Sequence, residues 1–191
     1  MSVTAVPLQP TPRRVLVMLW GGLALALLAA VLLAWAGTGR AIAQTGTNEQ
    51  FLDYNGRQSG VVTTASGLQY KVLEAGEGNR PTDADVALIS YKGALRDGTV
   101  FDQNERAPLP VAQVVPGFSE GLKLMQKGGK YRLWIKPELG YGARDAGPIP
   151  PQSLLVFDVE LIEFLPMAVL QQMQMQQQMG GGAPGGMPGG R

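Results

Sequence analysis

The 191-residue chain contains no cysteine and no histidine. That double absence excludes disulfides, thiol nucleophiles, imidazole general bases, Ser-His-Asp triads and zinc fingers. A lipoprotein anchor, which needs a cysteine, is excluded as well. Charge is also scarce: 16% of residues are Asp, Glu, Lys or Arg, against about 25% in an average soluble domain. The 16 basic and 15 acidic residues nearly cancel, so no phosphate-binding footprint exists and nucleic acid is not an expected partner. What the chain does hold in quantity is glycine, 26 residues, and proline, 14.

One apolar run, Val15 to Ala36 (VLVMLWGGLALALLAAVLLAWA), carries no charge and makes a helix of about 33 Å, enough for a hydrocarbon core of about 30 Å. Arg13 and Arg14 precede it and only Arg40 follows closely. The positive-inside bias therefore places residues 1–14 in the cytoplasm and the bulk of the chain across the membrane. A retained anchor over residues 15–36 is preferred, because a cleavable apolar region is usually about 7 to 15 residues long. The alternative stays open: Ala41-Ile42-Ala43 has the small-x-small form of a signal-peptidase site, and cleavage after Ala43 would release a soluble exported protein. Residues 37–60 read as a polar, glycine-punctuated tether with a helical turn around Phe51 and Leu52.

From Val61 onward the pattern is one of short β-type runs broken by turn residues: Leu68 to Leu73, Val86 to Tyr91, Lys130 to Ile135 and Leu154 to Phe164. In the last run Phe157, Val159 and Leu161 alternate with Asp158 and Glu160, the period of a sheet packed on one face. Pro116 to Met125 is the one good helical candidate after the span, with proline at its start. The fold class is α+β: an antiparallel sheet covered by one short helix, preceded by a single membrane helix. Residues 165–191, rich in Gln, Met and Gly, are expected to be a disordered tail with a frayed helical start after Pro166.

Several clusters invite a chemical reading and do not sustain it. Lys127-Gly128-Gly129-Lys130 lacks phosphate-loop spacing, and Gly140-Tyr141-Gly142 lacks the third glycine of a dinucleotide turn. Asp83, Asp85, Asp97 and Asp102 do not keep calcium-loop spacing. The thioethers of Met173, Met175 and Met179 are soft enough for Cu(I) but read better as part of the apolar tail. No cofactor and no metal are expected.

What remains is a set of aromatic and aliphatic residues spread over strand ends and loops, which composition alone would assign to an ordinary core. Their order says more. Val86 to Gly93 (VALISYKG), Asp97 to Asp102 (DGTVFD), Val114 to Phe118 (VVPGF), Leu139 to Gly142 (LGYG), Ile149 to Pro151 (IPP) and Leu155 to Leu161 (LVFDVEL) closely resemble the FK506-binding-protein (FKBP) family of peptidyl-prolyl cis-trans isomerases. The resemblance covers residues 61–164. Ser66 to Tyr70 (SGLQY) is similar to the entry segment of secreted bacterial members related to macrophage infectivity potentiator.

The resemblance implies a sheet wrapped around a short helix with an apolar basin between them. Carried over by motif, the catalytic residues would be Tyr91, Phe101, Asp102, Tyr141 and Phe157, and the substrate-binding residues Val114, Val115, Phe118, Ile149 and Leu109. Phe118 would be the floor under the proline ring, a position commonly tryptophan in the family, and Leu109 stands where a bulky aromatic is common. Tyr141 would lend its hydroxyl, Ile149 a backbone N–H and Asp102 a polar group paired with Arg106. Expected partners are proline-containing unfolded or nascent exported polypeptides, with macrolides such as rapamycin as inhibitors. The expected location is the bacterial inner membrane with the domain in the periplasm, as a monomer. The alternative is a proline-segment binding or chaperone module with little turnover.

Overall fold

A computed structural model of the chain describes residues 12–180. Helix α1 (Arg13–Thr45) begins at the arginine pair and continues past Ala36 through Arg40 and the Ala41-Ile42-Ala43 triplet. Nothing in that stretch breaks it: proline is absent and leucine and alanine, both strong helix formers, dominate. Its Arg13–Leu32 portion is long and apolar enough to cross a membrane, and none of that portion is buried within the protein. Most of the expected cytoplasmic segment, residues 1–11, lies outside the described residues.

The chain divides after Thr47 into two units. The second opens with α2 (Asn48–Asn55) rather than with a loose tether. Its fastening is polar and local. Asn55 Nδ2 donates to Gln69 Oε1 at 2.9 Å, Gln69 Nε2 donates to the Leu52 carbonyl at 2.8 Å, and Asn48 Nδ2 donates to the Gln152 carbonyl at 2.9 Å. Arg96 stacks over the Phe51 ring, 5.7 Å from its centroid. The expected turn around Phe51 and Leu52 is thus two turns of helix, held because two buried amides satisfy each other and a backbone carbonyl.

Six antiparallel strands follow: β1 (Val61–Thr63), β2 (Gln69–Glu74), β3 (Asp85–Leu95), β4 (Val100–Pro110), β5 (Lys130–Ile135) and β6 (Leu155–Pro166). Their spatial order is β1-β2-β5-β6-β3-β4. Four of them occupy the runs read from the sequence. β4 lies outside those runs, because Pro108, Pro110 and its charged middle argue against a strand; it forms at the sheet edge, where proline costs no ladder bond. Helix α3 (Pro116–Leu124) crosses one face of the sheet and buries Phe118 and Leu122 there. It lies close because its glycines permit it: a Cβ on Gly121 would stand 2.5 Å from Leu133 Cδ1, and one on Gly117 2.6 Å from Ile135 Cγ2.

Alternation along β6 decides which residues reach that interface. Leu155, Phe157, Val159 and Leu161 are buried against α3 and the core, while Asp158 and Glu160 face outward. Leu68, Ile89, Leu122, Leu133, Ile135 and Leu155 are fully buried between helix and sheet. On the outer face Arg132 grips Asp158 through two hydrogen bonds of 2.6 and 2.7 Å. Trp134 also points outward in the register of β5, away from the helix face.

The last described element is α4 (Met167–Gly180), which begins at the helical start expected after Pro166. Gln, Met, Leu and Ala are good helix formers, and no proline or glycine interrupts them until Gly180. The remainder of the expected tail, residues 181–191, lies outside the described residues.

Candidate active site

Four aromatic rings, three from the sheet and one from α3, gather around Phe157 on the helix side of the sheet. Phe118 rises from the first turns of α3 toward Phe157 of β6, with ring centroids 4.7 Å apart. Phe157 meets Phe101 of β4 edge-on at 5.5 Å, and Tyr91 of β3 stands 6.2 Å from Phe118 and 6.3 Å from Phe157. These are the offset and edge geometries that aromatic pairs favour. Phe118 and Phe157 are buried, whereas Tyr91 and Phe101 are half-buried and form the open side. The sheet register produces the cluster: Gly93 of β3 pairs with Phe157 on one flank and Asp102 on the other.

One strong polar contact borders the rings. The Tyr91 hydroxyl donates to Asp102 Oδ2 at 2.6 Å. Burial, and then this bond to a carboxylate, push the Tyr91 pKa up from 10.0 to about 12. At neutral pH Tyr91 therefore keeps its proton and Asp102 has one oxygen committed to it. Arg106 does not take that oxygen, contrary to expectation, and makes no ion pair among the described residues. A register shift between the Tyr91–Asn104 and Ile89–Ala107 pairs carries Arg106 in a bulge, where its backbone N–H donates to Asn104 Oδ1 at 2.9 Å.

The other residues named from the sequence fall at different depths. Val114 and Val115 lie at the entry to α3, half-buried against the core cluster. Ile149 is 4% exposed; its carbonyl accepts from the Ala146 N–H at 3.2 Å, and the two residues form an isolated antiparallel bridge. Tyr141 is 39% exposed, on a loop shaped by Gly142 at a φ of 60° and Gly147 at 68°. Its hydroxyl makes no hydrogen bond among the described residues, yet it is near enough to Tyr91 to help raise that group's pKa. Leu109 is not brought into the ring cluster; it pairs with Ala87 at the opposite end of β4 from Phe101.

Gly93 closes the VALISYKG motif, and the resemblance attaches no role to it. A glycine inside a strand signals a close approach, and here the approach is by rings: a Cβ at Gly93 would lie 2.7 Å from Phe101 Cε2 and Cζ and 2.7 Å from Phe157 Cε1. A cavity of about 600 Å³ is lined by Tyr91, a member of the ring cluster, and by Lys92, Gln103, Glu105, Lys130 and Glu160 among others.

An antiparallel sheet packed on one short helix, with an aromatic cluster between them, defines an α+β domain class. Comparison with known proteins narrows it. Residues 77–162 match the model of the FKBP-type peptidyl-prolyl cis-trans isomerase family, and residues 36–72 match the domain amino-terminal to such isomerases. The crystal structure of FkpA from Escherichia coli is similar, at a TM-score of 0.60 and 35% identity over 83% of this chain and 75% of that one. Among curated proteins, FKBP-type peptidyl-prolyl cis-trans isomerase FkpA of Escherichia coli (strain K12) is 46% identical over 114 residues, 58% of this chain and 42% of its own. Outer membrane protein MIP of Legionella longbeachae is 42% identical over 119 residues, 60% of this chain and 51% of its own. The chain belongs to the FKBP-type peptidyl-prolyl cis-trans isomerase family. The match spans about half the length of these two curated relatives.

Proposed function

We propose that the chain is a peptidyl-prolyl cis-trans isomerase that acts on proline-containing, unfolded polypeptides on the outer side of the cytoplasmic membrane, held there by α1. The observation that carries this reading is the four-ring basin with one committed polar pair at its edge. Export is supported by the candidate span, Arg13–Leu32, and by the flanking arginines.

Rotation about an X-Pro bond is slow because it breaks amide resonance, at a barrier of about 18–20 kcal/mol. Bringing tens of seconds to milliseconds takes a factor of about 10⁴, or about 5.5 kcal/mol. Acids, bases and bond cleavage are unnecessary for that. The twisted amide has lost charge separation, so a site that strips water from the carbonyl favours it over the planar, hydrated ground state. In this scheme Phe118, Tyr91, Phe101 and Phe157 keep the proline ring dry, with Val114 and Val115 beside the floor. Tyr141 and the Ile149 N–H are the donors that hold the rotated carbonyl, a contact worth more in a dry site than in water. Asp102 acts by fixing the Tyr91 hydroxyl and its dipole; it has no proton-transfer step to perform.

A second reading rests on Phe118 and Leu109, which are smaller than the aromatics common at those positions: a domain that binds proline segments and turns them over poorly. One assay separates the two. The full chain in a neutral detergent is tested for acceleration of tetrapeptide X-Pro isomerisation with and without rapamycin. Acceleration that rapamycin suppresses supports the isomerase; rapamycin binding by a folded chain that accelerates nothing supports the binding module.

A further inference from the structure

Gly93 is the part of the basin that the family reading leaves without a function, and its surroundings are unusual. It is buried in β3, paired with Phe157 of β6 and Asp102 of β4 beside a register shift at Gly93–Ala94, and its φ is not in the left-handed region. Conformational freedom is therefore not why glycine stands there. The reason is space: the rings of Phe101 and Phe157 lean in from the two flanking strands and meet over the Gly93 backbone, so that a Cβ would be 2.7 Å from both. The contact between the rings, 5.5 Å and nearly perpendicular, exists because nothing projects between them. Phe157 in turn sets Phe118, 4.7 Å further on.

We propose that Gly93 is a positioning residue of the basin: its missing side chain places Phe101 against Phe157, and through Phe157 fixes the height of the Phe118 floor, which Gly93 does not itself touch. The inference rests on the isomerase reading for its consequence in turnover, but its geometry can be read separately. Ring displacements of an ångström in a site that works by fit carry large rate penalties.

The test is a double-mutant cycle with Gly93→Ala and Phe101→Leu in the full chain, the second change removing the Phe101 Cε2 and Cζ atoms that the new methyl would strike and leaving the Phe157 ring room to give at its remaining contact. Alone, Gly93→Ala is expected to lower kcat/KM for a proline tetrapeptide by about tenfold or more. In the Phe101→Leu background the same change is expected to cost less than about threefold. Phe118 ring resonances, read by NMR on phenylalanine-labelled protein, should move in Gly93→Ala and return toward the Phe101→Leu position in the double variant. Equal cost in both backgrounds, or unmoved Phe118 resonances in a folded Gly93→Ala, overturns the proposal. If Gly93→Ala does not fold, a folded double variant supports it and an unfolded one overturns it. Should the parent chain show no turnover, the isomerase reading fails while the Phe118 resonances still decide this one.

Discussion

Replacing Phe118 by alanine is the sharpest test of the basin as a single packed object. Phe118 is 4% exposed and contacts Tyr91 and Phe157 with ring centroids at 6.2 and 4.7 Å. Burial of such a ring, together with the void left behind, makes a phenylalanine-to-alanine change cost about 3–5 kcal/mol. Each lost ring pair accounts for about 0.5–1.5 kcal/mol of that. For a unit of this size the loss lowers Tm by roughly 10–20 °C. Calorimetry of the full chain in a neutral detergent measures it, with Phe118→Leu as the control, expected to lose about 1 kcal/mol. Turnover is compared at a temperature where all variants are folded. Phe118→Ala should lose more than about tenfold in kcat/KM because water enters where the proline ring would sit. A stability loss below about 1 kcal/mol, or parental turnover in the alanine variant, would refute the claim that this ring is both a core member and the floor.

Three further outcomes follow from the same geometry. Alkaline titration followed by phenolate absorbance should show one step near pH 12 that disappears in Tyr91→Phe; because the Tyr91 pKa is raised from 10.0 to about 12 on folding, its stabilising contribution is full below about pH 10 and is lost as pH rises toward 12. An unchanged titration curve in that variant would sink the assignment. Tyr141→Phe should lower kcat by about tenfold with little change in KM, the signature of a contact made in the twisted state, and full activity would remove Tyr141 from the site. Gly121→Ala should lower Tm, since the methyl would stand 2.5 Å from Leu133 Cδ1; the overpacking cost of about 1–3 kcal/mol outweighs a helix-propensity gain of about 1 kcal/mol. A stabilised variant would show that α3 does not sit that close to β5.

Part of this protein is legible in its residues alone. The apolar run over residues 15–36 is a property of consecutive composition, and α1 covers it. Period-2 alternation from Phe157 to Leu161 depends only on the pleat, and the fold buries and exposes those residues in that order. Pro116 marks the start of α3 because proline suits the first helical turn and no later one. The ring cluster is singled out through motif resemblance and not through pattern, since Tyr91, Phe101, Phe118 and Phe157 look like any core aromatics when read alone.

Tertiary contacts decide the rest. Edge placement makes a strand of Val100–Pro110 despite its prolines, and a bulge in that strand leaves Asp102 to Tyr91 and not to Arg106. Neither α2 nor its anchorage can be read from a polar, glycine-flanked stretch, because the amide that fastens it, Gln69, belongs to a different element, β2. Gly93 shows the division most plainly. Its type is visible in the chain, but its purpose depends on two rings arriving from β4 and β6, and only the pairing of three strands brings them within 2.7 Å of where a Cβ would stand. Local chemistry sets which elements can form; which side chains meet is set by the register in which those elements pack.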